Sequence, residues 1–255
     1  MINYNRQHID KDDINSVVKA LKSDFLTQGM HVEKFEKKLS NTFKCKYVCA
    51  VSSGTAALHL SGMALNFKKN DYILLSPITF VASANCALYS EANVEFVDIE
   101  PEYYTIDVYK LEEKIKELKI KNKDIKAVVA TDYAGQPCDW KKLKFLSKKY
   151  NFFLINDNCH ALGSKYLNRS DYSTKYADIV VQSFHPVKNI TSGGGGAILT
   201  NKKNIFDKVK LLRSHNIIRK KYNWFYDVDS IGYNYRLSDI HLSLIHISEP
   251  TRLGM

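Results

Sequence analysis

The chain has 255 residues, of which 45% are hydrophobic and 25% are charged, and its formal net charge is +10. This balance is that of a globular protein and argues against disorder. The polar N-terminus argues against a signal peptide, and no apolar run approaches the roughly 20 residues of a membrane span. We therefore expect a cytoplasmic protein with no membrane partner.

The positive charge has two interpretations. A basic surface can bind nucleic acid or another polyanion. The lysines, however, are spread along the chain instead of clustering, and no nucleic-acid-binding motif accompanies them. We favour a solvated lysine-rich surface and expect no nucleic-acid partner.

The cysteines argue against a disulfide framework or a zinc site. There are five of them, an odd number, and no two have the CxxC spacing. Reduced thiols and no bound metal are the expectation.

Apolar periodicity predicts an alternation of helices and strands. Two helices come first, over Ile14–Leu21 and Val32–Phe43, with a loop between them. Short runs rich in Val and Ile then predict strands at Tyr47–Val51, Tyr72–Leu75, Val94–Val97, Ile125–Ala130, Phe152–Ile155, Ile179–Val181 and Ala197–Thr200. Further helices are predicted at Thr55–Leu65, Val81–Tyr89, Leu111–Leu118 and Trp140–Tyr150. This order predicts an α/β fold with a mostly parallel sheet and helices on both faces.

A turn of small residues, Ser53-Gly54-Thr55, joins the first strand to a helix. The free backbone amides at a helix start suit a phosphate, and the Thr55 hydroxyl can add a hydrogen bond. Most such turns only begin a helix, so this motif alone is weak evidence for a phosphate site.

Asp157 and His160 follow the strand at Phe152–Ile155. The carboxyl ends of parallel strands face the ligand crevice, where a carboxylate can pair with a protonated ring nitrogen. Two alternatives are an aspartate that caps the next helix and a metal ligand, although one Asp and one His are few ligands.

The strongest motif is Ser183-Phe184-His185-Pro186-Val187-Lys188, followed by four glycines at 193–196. A lysine beside so much glycine can approach a bulky planar ligand, and desolvation or a nearby cation makes it a nucleophile. The alternative is a surface lysine in a flexible loop. A nucleotide phosphate loop does not fit, because the lysine precedes the glycines.

The order and spacing of these motifs resemble the DegT/DnrJ/EryC1/StrS family of sugar aminotransferases, from about Tyr4 to His241. The resemblance implies fold type I of the pyridoxal-phosphate aminotransferases. It is carried by Tyr4–Gln7, Ser23–Gly29, Ser76–Ala82, Asp132–Pro137, His160–Gly163, Ser183–Lys188 and Gly232–Arg236.

The resemblance assigns roles in binding pyridoxal 5'-phosphate. Lys188 would hold the cofactor aldehyde covalently and then move a proton. Asp157 would keep the pyridine nitrogen charged, His160 would lie near the ring, and Phe80 would stack on its face. The phosphate would be bound by Gly54, Thr55 and Ser183.

The same resemblance implies a homodimer with shared active sites. Asn234 matches the family residue that reaches the cofactor phosphate of the neighbouring subunit. A UDP-linked 4-keto-6-deoxy-N-acetylhexosamine would take an amino group at C4, with glutamate as donor and 2-oxoglutarate as product, in pseudaminic acid biosynthesis. The nucleotide-sugar pocket would be lined by Tyr4, Leu26, Thr27 and Ser53.

Other functions remain open at this point. They are another nucleotide-sugar aminotransferase or a dehydratase of the same family, or an inactive truncated fragment. Some family dehydratases have histidine at the position of Lys188, so this lysine favours transamination.

The chain departs from the family pattern in three places. Gly194 stands where the family usually has Glu, and Asn216 where it usually has Gly. From Leu242 onward the sequence resembles the translation of a sequencing-library adapter. We therefore expect residues 1–241 to form the large cofactor-binding domain and 242–255 to be a non-native tail that replaces a C-terminal small domain. The alternative is a genuine short terminal helix with Pro250 near its end.

Overall fold

The computed structural model describes residues 7–219 and 225–245 of the chain. The elements follow the order α1 (Lys11–Leu21), α2 (Met30–Phe43), β1 (Tyr47–Val51), α3 (Gly54–Ala64), β2 (Asp71–Leu75), α4 (Ala82–Leu88), β3 (Asn93–Phe96), α5 (Val108–Ile120), β4 (Asp124–Thr131), α6 (Trp140–Tyr150), β5 (Phe153–Asp157), α7 (Tyr172–Tyr176), β6 (Ile179–Ser183), β7 (Gly196–Thr200), α8 (Lys203–Arg213), β8 (Ile217–Arg219), β9 (Tyr226–Val228) and α9 (Asp239–Leu244). The predicted helices and strands are confirmed; α7, α8, α9, β8 and β9 are additional. Within the described residues, no helix combines the length and apolarity that crossing a membrane requires.

The central sheet has seven strands in the order β1-β7-β6-β5-β4-β2-β3. Strands β3, β2, β4, β5 and β6 pair in parallel, whereas β7 runs antiparallel to both of its neighbours, β1 and β6. The prediction of a mostly parallel sheet is therefore confirmed. Since β1 and β6 both oppose β7, the carboxyl ends of β1, β2, β4, β5 and β6 lie along one edge of the sheet.

Both faces of the sheet are buried under helices. Val129 and Ile155 belong to a core on one face, which includes residues of α3, α4 and α8. Their chain neighbours Val128 and Leu154 belong to a core on the opposite face with residues of α5 and α6. Successive side chains of a strand alternate between faces, so a strand covered on both sides needs an unbroken apolar run. That requirement explains the Val- and Ile-rich runs in the sequence.

A buried carboxylate, Asp132, ties the carboxyl ends of β4 and β5 to the helices beneath them. Its side chain is fully buried, and burial raises its pKa, an effect that its hydrogen-bond donors oppose. It accepts hydrogen bonds from Cys138 N (2.9 Å), Trp140 Nε1 (3.0 Å), Asn156 Nδ2 (3.0 Å), Asn158 Nδ2 (2.8 Å) and Tyr172 OH (2.8 Å). These contacts make the end of β5 a rigid support.

Replacing Asp132 with asparagine tests this support. The new amide would turn N–H groups toward donors and leave several of them unpaired, so we expect a loss of roughly 3 kcal/mol in unfolding free energy. Urea unfolding measures it. The matched control is Asp124→Asn, at the exposed start of the same strand. An equal, small effect of the two substitutions would contradict this account.

Candidate active site

The three sequence motifs meet at one edge of the sheet. Gly54 follows β1, Asp157 ends β5 and Ser183 ends β6. Gly196, the first residue of β7, pairs with Val51 of β1 and with Ser183 of β6. Because β7 lies between β1 and β6, it brings together the Ser53-Gly54-Thr55 turn after β1 and the loop after β6 that contains Lys188.

Glycines allow the backbone of this turn to pack closely against its neighbours. A Cβ atom on Gly54 would lie 2.9 Å from Ser183 Cβ, and one on Gly196 would lie 2.5 Å from the carbonyl oxygen of Ser53. Ser53 Oγ accepts a hydrogen bond from Ala56 N (3.0 Å) and caps α3. The first amides of α3, next to Ser183, therefore form a surface suited to an anion.

Asp157 is a buried carboxylate at the end of β5, with 4% of its surface exposed. Its Oδ2 accepts a hydrogen bond from Ser83 Oγ (2.6 Å), and its Oδ1 accepts a longer one from Cys159 N (3.3 Å). The interpretation of Asp157 as a helix cap is wrong, because the next helix begins only at Tyr172.

The charges of Lys188 and Asp157 both affect the pKa values of two neighbouring residues, His160 and Cys159. Lys188 is partly buried in the loop between β6 and β7, where its N–H donates to His185 O (2.9 Å). Burial lowers the pKa of His160, the charge of Lys188 lowers it further, and Asp157 opposes both. Burial raises the pKa of Cys159 well above its usual range, and the same two charges act on it in opposite directions. The lysine and the aspartate therefore both lie near His160 and Cys159.

Phe80 presents an exposed ring at this edge. It lies in the loop between β2 and α4, and 66% of its surface is exposed. The neighbouring Thr79 hydroxyl is 2.8 Å from the hydroxyl of Thr131, the last residue of β4. The loop is thus attached to the strand that pairs with β5. An exposed aromatic ring on an anchored loop suits contact with a planar ligand.

The predicted nucleotide-sugar residues Leu26 and Thr27 lie in the loop between α1 and α2. Asp239 fixes this loop: its N–H donates to Leu26 O (3.0 Å), and its carboxylate accepts from Gly29 N (2.8 Å). Thr27 forms a β-bridge with Ser238. Gly29 has no side chain to cap α2, and the buried Asp239 carboxylate supplies that function.

A chain of contacts connects this loop to the Ser53-Gly54-Thr55 turn. Ser53 bridges to Gly195, and a Cβ on Gly195 would lie 3.0 Å from the side chain of Leu237, next to Ser238. Tyr4, the remaining predicted pocket residue, lies outside the described residues.

Asn234 is exposed, and backbone contacts of its neighbour Tyr235 place it near the Ser53-Gly54-Thr55 turn. It bridges to Ser214, and the next residue, Tyr235, accepts a hydrogen bond at its carbonyl from Ser52 N (2.8 Å). Its predicted role toward a neighbouring subunit stays a prediction.

Sequence reasoning missed the hydroxyls of Ser83, Thr79 and Thr131 and the network around Asp132. Asp132 had a usable signal, because it directly follows a strand, as Asp157 ends one. No sequence pattern indicated the contact between the hydroxyls, because Thr131 is 52 residues from Thr79 along the chain.

The cysteines lack the features of reactive or metal-binding thiols. All five are free, and burial raises the pKa of Cys49 and of Cys86 to about 12. Among residues 7–219 and 225–245, no group of three or more His, Cys, Asp and Glu side chains is placed to hold a metal ion.

The coupling of Lys188 to His160 can be measured without any ligand. Replacing Lys188 with methionine removes one cause of the lowered pKa, so the pKa of His160 should rise toward its usual value of 6.5. Imidazole NMR titration measures this shift. His59, whose pKa is lowered by burial alone, is the internal control and should not move. An unchanged His160 titration would show that the two side chains are not neighbours.

The same pKa predicts a pH dependence of stability. A folded-state pKa below the unfolded value means that the contribution of neutral His160 is present above about pH 6.5 and is lost as the pH falls through the folded value. In Lys188→Met that loss on acidification should be smaller than in the unmodified chain.

The close packing of Gly54 against Ser183 predicts non-additive substitutions. Gly54→Ala places a methyl group against Ser183 and should lower the melting temperature by several degrees, roughly 1–3 kcal/mol of overpacking. Ser183→Gly removes the clashing atoms, so the double variant should lose less stability than the sum of the two single variants. Additive losses in thermal unfolding would show that the two residues do not touch.

Known proteins similar to this chain share its family and its fold. Residues 7–248 match the DegT/DnrJ/EryC1/StrS aminotransferase family. The chain is 44% identical over 245 residues to the UDP-4-amino-4,6-dideoxy-N-acetyl-beta-L-altrosamine transaminase of Campylobacter jejuni, covering 96% of this chain and 63% of that protein. PseC of Helicobacter pylori, an aminotransferase of pseudoaminic acid biosynthesis, matches with a TM-score of 0.84 and 35% identity, over 95% of this chain and 63% of PseC.

A second similar structure is that of Spr1654 of Streptococcus pneumoniae, described as a sugar aminotransferase in its PLP form. It matches with a TM-score of 0.85 and 26% identity, over 95% of this chain and 64% of that one. The chain thus spans about 63% of the length of the curated relative from Campylobacter. The family match and these identities confirm the resemblance: the chain belongs to the DegT/DnrJ/EryC1/StrS aminotransferase family.

Proposed function

We propose that this chain is the cofactor-binding part of a pyridoxal-phosphate-dependent sugar aminotransferase. The observation that carries the proposal is the pair of opposite charges, Lys188 and Asp157, that act together on Cys159 and His160. A cofactor with an aldehyde on one side of its ring and a basic nitrogen on the other needs an amine and a carboxylate in the same site.

The other residues of the edge fit the remaining parts of this cofactor. The amides of Gly54 and Thr55 at the start of α3, with the adjacent Ser183, suit its phosphate. The exposed ring of Phe80 suits its face. Asp157 Oδ1 accepts a long hydrogen bond from Cys159 N (3.3 Å), and a carboxylate oxygen can accept a further one from a ring N–H.

Each residue of this site then has a defined role in the proposed reaction. The cofactor supplies an electron sink for charge that develops on the substrate carbon. Lys188 would hold the cofactor at its aldehyde carbon and would carry the proton between the substrate and the cofactor. Asp157 holds the ring nitrogen in its charged form. His160, whose pKa is lowered, stays neutral near neutral pH and adds no second positive charge beside Lys188.

For the substrate, we propose a UDP-linked 4-keto-6-deoxy-N-acetylhexosamine that is aminated at C4, with glutamate as the donor and 2-oxoglutarate as its product. The names of the relatives from Campylobacter and Helicobacter support this choice. Leu26, Thr27, Ser53 and Tyr4 would bind the nucleotide sugar. Asn234 would reach the cofactor phosphate of a second subunit in a homodimer, in the cytoplasm.

A spectroscopic experiment tests the cofactor site. Purified chain is mixed with pyridoxal 5'-phosphate, and the visible spectrum is recorded before and after borohydride reduction. A visible band and a cofactor fixed covalently to the peptide that contains Lys188 are expected. Both should vanish in Lys188→Ala and persist in the control Lys208→Ala, an exposed lysine of α8.

The reaction is tested in a second step. Glutamate should bleach the visible band and release 2-oxoglutarate, and the keto sugar should restore the band and gain an amine detected by mass spectrometry. The same assays are run on a fusion of this chain to the C-terminal third of the Campylobacter relative. A bound cofactor that glutamate does not change in either chain would reject transamination and favour a dehydratase.

A further inference from the structure

We propose that Thr131, Thr79 and Ser83 form a one-way hydrogen-bond relay that positions Asp157 toward the cofactor ring. The inference rests on the proposed function, because it concerns the carboxylate assigned to the ring nitrogen. The distances are 2.8 Å between the hydroxyls of Thr131 and Thr79, 3.0 Å between those of Thr79 and Ser83, and 2.6 Å from Ser83 Oγ to Asp157 Oδ2.

The direction of the relay follows from counting protons. A carboxylate can only accept, so the single hydroxyl proton of Ser83 points to Asp157. Ser83 must then accept from Thr79, whose single proton is thereby used. Thr79 must in turn accept from Thr131. All three hydroxyl dipoles therefore point toward the carboxylate, and each bond polarises the next one.

Water has little access to three of the four members of this relay, while Thr79 is half-buried. Ser83 is fully buried, Thr131 is 6% exposed and Asp157 is 4% exposed. A buried carboxylate that loses a donor has no solvent to replace it, so Oδ2 of Asp157 depends on the hydrogen bond from Ser83. Because Ser83 occupies Oδ2, it also leaves Oδ1 as the oxygen for the ring nitrogen.

Ser83 also connects the carboxylate to the residue proposed for the ring face. Its backbone N–H donates to Phe80 O (3.0 Å), while its side chain donates to Asp157. Thr79, directly before Phe80, attaches the same loop to the end of β4. Ser83 and Thr79 thus position both Asp157, proposed for the ring nitrogen, and Phe80, proposed for the ring face. Ser83, Thr79 and Thr131 are positioning residues, since they act through Asp157 and Phe80.

The relay is first tested without cofactor. Ser83→Ala and Thr79→Val each remove a hydroxyl, and each should lower the melting temperature by about 2–4 °C. Since the relay works as a unit, the double variant should lose clearly less than the sum of the two. Thr200→Val is the control: Thr200 is as buried as Ser83 and lies at the far end of β7, where its hydroxyl donates to Asp178 O (2.7 Å). Its loss should add in full to that of Ser83→Ala.

The second arm measures positioning. Ser83→Ala and Thr79→Val should weaken binding of pyridoxal 5'-phosphate by about tenfold, the equivalent of one buried hydrogen bond, whereas Thr200→Val should not. With cofactor labelled with nitrogen-15 in the ring, the NMR shift should move toward the unprotonated form in the two relay variants. A role limited to stability would leave this shift unchanged.

The outcomes separate the two proposals. If the unmodified chain binds no cofactor, the proposed function fails, and the thermal cycle alone decides whether the relay exists. If the chain binds cofactor but the relay variants match Thr200→Val in the thermal cycle, in affinity and in the nitrogen shift, the relay is rejected and the cofactor site stands.

Discussion

Asp157 carries its carboxylate at a position where almost none of its surface reaches solvent, and the candidate site depends on keeping it there. A buried carboxylate is stable only if protein donors replace the lost water. Ser83 and the backbone of Cys159 supply those donors, and the end of β5 holds the residue in a fixed place between β4 and β6. The charge of Lys188 reaches the same neighbourhood from the next loop. Fixed donors and a nearby cation stabilise the buried carboxylate and hold it in one place.

Two carboxylates at the ends of neighbouring strands, Asp132 and Asp157, differ in the number of hydrogen-bond donors around them. Asp132, just after β4, is enclosed by five donors and has no exposed surface. Its capacity to accept is used inside the protein, so its role is to hold β4, β5, α6 and α7 together. Asp157 has fewer donors, and one of them is distant. The same side chain at the same kind of position is structural in one case and available to a ligand in the other.

The antiparallel strand β7 has a comparable influence on the Ser53-Gly54-Thr55 turn. It separates β1 from β6 in the sheet, and its first residue must be glycine because the Ser53 carbonyl lies where a Cβ would stand. The glycine run before it approaches the turn, as the bridge between Ser53 and Gly195 indicates. A Cβ placed at Gly194 would meet nothing within 4 Å, so the absence of the usual family glutamate leaves no gap in the packed backbone.

The sequence by itself determined the strands and helices, the mostly parallel sheet, and the positions of Lys188 and Asp157 after two of its strands. Periodicity reports which residues are buried, and the ends of parallel strands share an edge, so these conclusions needed only local patterns. Tertiary structure decided the strand order, the antiparallel insertion of β7, and the partners of each polar group. Ser83 is 74 residues from Asp157, and Gly29 is 210 residues from Asp239. A hydrogen bond depends on distances and angles between such remote groups, and no local pattern of residue types encodes them.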